Sequence, residues 1–257
     1  IERMQTVCRE HGVELRPHIK TRKMVEVAKM QLAAGAAGLT CAKISEAEAL
    51  LPSGVKSFFI AHSIVDPLKG PRLKALSEKL DELFVGVTSE GQAHALEKVL
   101  AGVDLTLPVM MAIDTGLVRE GTRTKEEGIA LAKVIGELPH LKLHGIYTHE
   151  GHAYKRAGED RETVCREVLD RLLEIRKLIG NEDLKIWPGC SVTGACMATL
   201  PGVDAVRPGS YVFGDHSLAV RAKTMTWEQV SLTVLATVID KPEPGLALID
   251  AGSKVFS

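Results

Sequence analysis

Apolar runs alternate with amphipathic helical patterns along most of the sequence, and this alternation limits the folds open to the chain. The runs end in polar or glycine residues, whereas the patterns between them repeat apolar residues at the spacing of an α-helix. Strands that alternate with helices are typical of a parallel sheet covered by helices. Eight such runs are present, and they end within residues 16–20, 38–41, 58–62, 83–87, 109–114, 145–149, 185–189 and 203–207.

The eight βα units predict an α/β fold of the (β/α)8, TIM-barrel type, because eight such units close a parallel sheet on itself. A doubly wound open sheet is the alternative. Its phosphate-binding first turn needs the pattern GxGxxG, whereas the first run here ends in KTRK at residues 20–23. Helices are predicted between the strands, at residues 24–34, 45–51, 89–100, 125–136 and 160–179.

The pattern changes near the C-terminal end. Residues 229–239 are rich in β-branched side chains, residues 241–245 read KPEPG and predict a turn, and residues 246–250 predict another strand. We therefore expect the barrel at residues 1–222 and the start of an antiparallel β domain at residues 223–257. Because the chain begins inside a helical pattern without methionine and stops soon after a strand, we expect it to be part of a longer protein.

Composition restricts the partners and the compartment. With 32 basic and 33 acidic residues, the chain has nearly balanced charge, which argues against nucleic acid or an anionic membrane surface as a partner. No apolar run approaches the ~18 residues that span a bilayer, and no secretory leader is present, so we expect a soluble, cytoplasmic protein. The five cysteines form no CxxC pair, and we expect reduced, structural thiols, Cys190 and Cys196 included.

Polar residues follow most of the predicted strands. Barrel enzymes carry their reacting groups at the C-terminal ends of the strands. The residues found there are Lys20, Thr40, His62, Asp114, His149, Cys190 or Ser191, and Arg207. Lys20 is a candidate nucleophile, because a partly buried lysine beside other cations has a lowered pKa. A surface lysine in a basic loop is the alternative.

Two glycine-containing loops follow the last two strands, at residues 189–195 and 207–211. In barrels, the loops after strands seven and eight commonly bind phosphate through backbone N–H groups and small hydroxyls. A phosphate bound there would face Lys20 across the mouth of the barrel. Ordinary turn glycines are the alternative interpretation.

Two further segments carry candidate proton-transfer and binding groups. Residues 147–154 read YTHEGHAY, and their rings could stack on a planar ligand and move protons near neutral pH. The HEGH within them lacks the HExxH spacing of a zinc helix. Arg119 follows Asp114 and could bind a phenolate or carboxylate oxygen. A surface ion pair with Glu120 or Glu126 is the alternative interpretation.

Four segments resemble the D-threonine aldolase/D-serine dehydratase family. They are RPHIKTRK at residues 16–23, HEGHAY at 149–154, GCSVT at 189–193 and VRPGSY at 206–211. That family is similar to alanine racemase in having a pyridoxal phosphate barrel followed by a β domain. The resemblance extends over nearly the whole chain, and it implies the same fold and the same cofactor here.

The resemblance also implies roles for individual residues. Lys20 is similar to the lysine that binds pyridoxal phosphate covalently, and Arg207 to the arginine that faces the pyridine nitrogen. His149 resembles the histidine beside the ring, Tyr154 a residue on the substrate face, and Arg119 the arginine near the phenolic oxygen. The implied phosphate-binding residues are Ser191, Gly209 and Ser210, with Thr193, Gly194 and Tyr211 close enough in sequence to contribute.

The activity implied by the resemblance is that of a lyase for a β-hydroxy D-amino acid, with retro-aldol cleavage to glycine and an aldehyde. The alternatives are a D-serine dehydratase that releases a keto acid and ammonia, an amino acid racemase, and a non-catalytic pyridoxal phosphate-binding protein. Members usually add a divalent metal held by His and Cys of the β domain. The sequence stops at Ser257 before such a pair, although residues 250–254 match the early part of that domain. A homodimer is implied as well.

Overall fold

A computed structural model of the chain describes residues 1–252, and residues 253–257 lie outside the description. The strands are β1 Glu14–Leu15, β2 Leu39–Cys41, β3 Ser57–Ile60, β4 Glu82–Val87, β5 Leu107–Ala112, β6 Leu141–Tyr147, β7 Lys185–Trp187, β8 Ala205–Val206, β9 Val238–Glu243 and β10 Leu246–Ile249. The α-helices are α1 Glu2–Glu10, α2 Val25–Ala34, α3 Ile44–Leu50, α4 Gly70–Ser77, α5 Glu90–Ala101, α6 Lys125–Glu137, α7 Arg161–Ile179 and α8 Gly194–Met197.

The first eight strands form a closed, parallel arrangement. Strands β2 to β7 lie side by side in chain order, and β1 pairs with β8. A parallel bridge between His18 and Thr40 connects the segment after β1 to β2, and the N–H of Arg207 donates to the carbonyl of Pro188 at 3.1 Å, beside β7. The predicted (β/α)8 barrel is therefore confirmed. The open-sheet alternative fails because its first strand would not meet the last one.

Local capping residues explain the positions of the helices. The five predicted helices α2, α3, α5, α6 and α7 begin and end within one residue of the expected ranges. Ser89 and Asp160 cap α5 and α7 with their side chains, and Thr124 and Glu127 form a capping box at α6. Gly180, with φ of 75°, ends α7 in the left-handed conformation. Within residues 1–252, no helix is both long and apolar enough to cross a bilayer.

The interior of the barrel is filled by side chains. The group that fills it consists of Phe59, Ala61, Phe84, Met110, Ala112, Tyr147, Trp187 and Ala205. The ring of Trp187 packs edge-on against Phe59 and Phe84, with centroids 5.8 and 5.1 Å apart. An arginine covers each end: Arg16 lies 4.5 Å from the Trp187 ring centroid, and Arg207 lies 5.2 Å from that of Phe59. The interior of the barrel is therefore occupied by side chains, and a ligand would bind outside it.

The antiparallel strands expected after the barrel are confirmed as the hairpin β9–β10, which turns at Gly245 with φ of 84°. Its strand residues are all exposed. The sequence placed the first strand too early, because residues 230–237 pair with no other strand of the described chain. The boundary between residues 222 and 223 stays a prediction, and residues 253–254 of the predicted match to the β domain lie outside the described part.

Candidate active site at the barrel mouth

A cavity of about 210 Å³ opens where the barrel strands end. Its size is below the ~300–1,000 Å³ typical for drug-sized ligands, so it suits a compact ligand. The segments that follow β1, β6, β7 and β8 line it with His18, Lys20, His149, Tyr154, Gly189, Cys190, Ser191, Arg207, Gly209 and Ser210. Seven of the predicted site residues are thus brought together.

Lys20 lies in the 3-10 turn Ile19–Thr21 and not at the end of a strand, as the sequence suggested, because β1 stops at Leu15. The turn is fixed by His18, whose Nδ1 accepts from the N–H of Lys20 at 3.3 Å. Burial lowers the pKa of the Lys20 amine, and the charges of Arg119 and Arg207 lower it further. The side chain is still reached by solvent. Lys20 therefore combines access with an increased fraction of the neutral, nucleophilic amine.

His149 follows β6 and carries an unprotonated nitrogen. Its Nδ1 donates to the carbonyl oxygen of Gly189, which leaves Nε2 as an acceptor in the neutral ring. Burial lowers the pKa of His149, as do the charges of Lys20 and Arg207, while Glu150 opposes them. The neutral imidazole is therefore the favoured form at neutral pH, and it can accept a proton.

Arg207 is 4% exposed and has one donor group left for a ligand. Its Nε donates to the carbonyl of Trp187 at 3.2 Å and its Nη2 to that of Thr148 at 2.5 Å. Its Nη1 has no hydrogen-bond partner among the described residues, although the side chain lines the cavity. Gly189 makes room for the guanidinium, because a Cβ at that residue would lie 2.7 Å from the Arg207 Cζ.

The two loops predicted to bind phosphate meet each other at the cavity. The N–H of Gly209 donates to the hydroxyl oxygen of Ser191 at 3.0 Å, which leaves the hydroxyl proton of Ser191 free to donate to an anion. The lining contains Lys20 and Arg207 but no carboxylate, so the local charge favours an anion. In the part of the chain that the structure describes, no group of three or more His, Cys, Asp or Glu side chains is arranged to hold a metal ion.

Three residues predicted from their closeness in sequence do not line the cavity. The Thr193 hydroxyl donates to Glu150 at 2.6 Å, and Gly194 is the first residue of α8. The Tyr211 hydroxyl oxygen accepts from Gln31 on α2 at 2.7 Å. The hydroxyls of Thr193 and Tyr211 are thus used in contacts with side chains that do not line the cavity.

Arg119 does not line this cavity, and its role toward a ligand stays a prediction. It forms a two-bond ion pair with Glu120, at 2.8 and 2.6 Å, as the surface interpretation predicts. It also lines a narrow cleft beside His149, and its charge lowers the pKa of Lys20. Asp114 shapes this loop by accepting three backbone N–H groups, that of Arg119 among them at 3.2 Å.

Sequence reasoning missed the role of Glu150. Its side chain is fully buried and accepts from the N–H of Gly189 at 2.9 Å, in addition to the Thr193 hydroxyl. These partners lie 39 and 43 residues away, so no local pattern could have indicated them. Cys190 lines the cavity, but burial raises the pKa of its thiol to about 12, which agrees with the structural role expected.

The sequence and the fold both match known proteins. The profile described as alanine racemase, N-terminal domain, matches residues 1–217. D-Threonine aldolase from Arthrobacter sp. is 29% identical over 257 residues, which cover 98% of this chain and 67% of that protein. D-threo-3-Hydroxyaspartate dehydratase from Delftia sp. strain HT23 is 33% identical over 272 residues, which cover 100% of this chain and 69% of that protein.

The solved structure of the Delftia dehydratase superposes with a TM-score of 0.81 at 30% identity, and the match covers 93% of this chain and 64% of that one. The chain thus spans about two thirds of the length of the relatives it matches. The resemblance drawn from the four sequence segments is confirmed by these matches. With a closed barrel, a lysine after its first strand and a profile match over most of its length, the chain belongs to the alanine racemase N-terminal domain family.

Proposed function

We propose that the chain is the cofactor-binding barrel of a pyridoxal phosphate-dependent lyase that cleaves a β-hydroxy D-amino acid to glycine and an aldehyde. The observation that carries this proposal is the placement of Lys20, with its lowered pKa, in the same cavity as Ser191, Gly209 and Arg207. The similarity to a D-threonine aldolase supports the retro-aldol reaction.

The residues present fit the cofactor. The Lys20 amine would bind its aldehyde carbon, and the hydroxyls of Ser191 and Ser210 would donate to its phosphate. The free Nη1 of Arg207 would donate to the ring nitrogen, which would stay unprotonated because an arginine does not give up its own proton. When bound, pyridoxal phosphate supplies a conjugated ring that accepts electrons from a bond at the Cα of the amino acid.

The chain supplies the groups that move protons. The unprotonated Nε2 of His149 can accept the proton of the β-hydroxyl, which allows the Cα–Cβ bond to break and the aldehyde to leave. Burial raises the pKa of Tyr154, so its hydroxyl stays protonated and can donate a hydrogen bond on the substrate side. The positions of these two groups would decide whether the Cα–Cβ bond or the bond to the α-proton is broken.

Dehydration is the second candidate, since the 33% identical relative is a D-threo-3-hydroxyaspartate dehydratase. There the α-proton would be removed, hydroxide would leave, and a keto acid and ammonia would result. Lys20 and His149 line the same cavity, and either could accept that proton. Racemisation and cofactor binding without catalysis are the remaining alternatives, and the assay below separates them.

The cofactor assignment is tested by adding pyridoxal phosphate, reducing with borohydride and locating the labelled peptide by mass spectrometry. We expect a visible absorbance band that borohydride removes, with the label on Lys20. Lys20→Arg should lose both, whereas Lys23→Arg, a change at an exposed lysine paired with Glu46, should keep them. A label on a different lysine would refute the assignment.

The reaction is tested on the natural protein, with D-threonine and D-serine as substrates, in the presence and absence of a divalent metal ion. Glycine supports the aldolase proposal, and a keto acid supports the dehydratase. Recovery of the L-amino acid would indicate a racemase, and no turnover at all a cofactor carrier. We further propose that the protein forms a homodimer, which light scattering on the same sample measures.

A further inference from the structure

One carboxylate is buried directly behind the cavity. Glu150 is fully buried and accepts two hydrogen bonds, from the N–H of Gly189 at 2.9 Å and from the hydroxyl of Thr193 at 2.6 Å. Each of its two carboxyl oxygens accepts one of these bonds. Burial of a carboxylate costs free energy unless its charge is compensated. The presence of Glu150 behind a cationic cavity therefore needs an explanation.

The loop after β6 uses three consecutive residues to contact the loops after β7 and β8. The carbonyl of Thr148 accepts from Arg207, and the Nδ1 of His149 donates to the carbonyl of Gly189. Glu150 then accepts the N–H of the same Gly189. The carbonyl and the N–H of Gly189 are thus both hydrogen-bonded, to His149 and Glu150 respectively. The backbone at Gly189 cannot rotate without breaking one of these bonds.

We propose that Glu150 is a positioning residue that holds Gly189 in place, and thereby keeps the His149 proton on Nδ1 and leaves Nε2 free to accept a proton in the cavity. Its negative charge also offsets the cations that face His149. The part that concerns catalysis rests on the proposed function above, whereas the effect on the ring of His149 does not.

The environment of His149 contains charges of both signs, so the contribution of Glu150 has to be separated from the rest. The titratable or charged groups around it are His18, Lys20, Asp114, Arg119, Glu120, Tyr147, Glu150, Tyr154, Cys190 and Arg207. Of the acidic groups among these, Glu150 opposes the effect of burial on His149 most strongly. Removal of its charge should therefore disfavour the imidazolium form.

The test is a nitrogen-15 NMR titration of the histidines in the cofactor-free protein, with His149→Gln to assign the signal. In the wild type we expect the neutral ring to carry its proton on Nδ1. In Glu150→Gln the amide nitrogen cannot accept, so one of the two hydrogen bonds is lost. We expect a smaller fraction of His149 rings with the proton on Nδ1, and the titration of His149 moved to lower pH. The exposed Glu10→Gln should leave the titration unchanged. A wild-type fraction of Nδ1-protonated rings in Glu150→Gln would overturn the positioning role, and an unchanged titration would overturn the charge effect.

A second variant is available if Glu150→Gln does not fold. Thr193→Val keeps the carboxylate and removes only the hydroxyl that orients it, so the fraction of His149 with its proton on Nδ1 should decrease. If that fraction stays at the wild-type value, the positioning role is wrong.

The catalytic consequence is measured separately in the natural protein. A misplaced proton acceptor lowers kcat, and we expect a decrease of about tenfold to hundredfold in Glu150→Gln with little change in KM. Equal kcat values with an altered NMR titration would overturn the catalytic part alone. A wild-type protein that binds no pyridoxal phosphate would refute the proposed function, while the NMR result would still decide the role of Glu150.

Discussion

At the scale of single residues, positive charges at the mouth of the barrel lower the pKa of one amine. Lys20 has a lowered pKa because it is partly buried and because Arg119 and Arg207 lie near it. Glu120 acts in the opposite direction, and it is also the ion-pair partner of Arg119. The reactivity of Lys20 should therefore depend on residues that do not themselves contact a carbonyl compound.

Replacement of Arg119 tests this dependence. Arg119→Gln removes a positive charge near Lys20, so the ammonium form becomes more stable and the pKa of Lys20 rises. At neutral pH a smaller fraction is then neutral, and pyridoxal phosphate should react with Lys20 more slowly, with the pH profile of the rate moved upward. Stopped-flow absorbance measures this rate. Arg166→Gln, at an exposed arginine on α7, serves as the control, and identical profiles for the two variants would contradict the prediction.

A second residue-scale prediction concerns Gly189. An alanine there would bring a methyl group within 2.7 Å of the buried guanidinium of Arg207, so one of the two has to move. We expect Gly189→Ala to lower the free energy of unfolding by about 1–3 kcal/mol. Gly91→Ala is the control, because no atom lies within 4 Å of the added carbon at that position in α5, and it should be neutral or slightly stabilising. Urea unfolding measures both.

At the scale of elements, Arg16 connects strands that start at the end of the barrel opposite the cavity. It donates to Glu14 in β1, to Ser57 in β3 and to Glu82 in β4, at 2.7, 2.7 and 3.2 Å. Glu82 also accepts from the Ser57 hydroxyl at 2.8 Å. The short two-residue pairing of β1 with β8 is thus supported by a polar group that reaches across the end of the barrel.

This contact predicts a pH dependence of stability. Burial raises the pKa of Glu82, but hydrogen bonds from Ser57 and Arg16 outweigh it and hold the pKa below the ordinary 4.5. The stabilisation is therefore present above that value and is lost as the pH falls through the pKa of the folded state. Urea unfolding between about pH 7 and about pH 3 should show a shallower decrease in Glu82→Gln than in the wild type. Glu10→Gln should follow the wild type, and parallel curves for Glu82→Gln would contradict the prediction.

The helices and strands also show which parts of the fold could be predicted from the sequence. Helices were placed within one residue because their caps, such as Thr124 and Asp160, are local signals. The end of β1 was misplaced, because the turn that carries Lys20 depends on His18 and on contacts with distant strands. Glu150 was missed for the same reason, since its hydrogen-bond partners are set by how β6 and β7 lie in the barrel.

At the scale of the whole molecule, the strand side chains of the barrel are more buried than those of the residues after it. Barrel strands have buried side chains on both faces, as in β3, whereas every strand residue of the β9–β10 hairpin is exposed. The contacts back to the barrel include Ser231, whose N–H donates to the carbonyl of Phe213 at 2.7 Å, and an Arg3–Gln229 hydrogen bond at 3.1 Å. We propose that residues 1–222 form the folding unit.

Truncation tests this unit. A chain of residues 1–222 should unfold cooperatively, with a free energy of unfolding lower by about 1–3 kcal/mol, because the few lost hydrogen bonds each contribute about 1 kcal/mol. Thermal and urea unfolding followed by circular dichroism measure this change. Replacement of Leu235 by Ser, at a fully exposed position, controls for the effect of lost apolar surface. Loss of a cooperative transition in residues 1–222 would place the boundary elsewhere.

The aromatic packing inside the barrel has a consequence for engineering the protein. Phe59, Phe84, Tyr147 and Trp187 fill the interior of the barrel. A small molecule therefore cannot diffuse through the barrel from one end to the other. Peptide tags or fluorescent labels can accordingly be inserted on the connections that lead into the strands, such as residues 102–106 between α5 and β5. A tag or label at this end would leave the opening of the cavity at the other end accessible to small molecules.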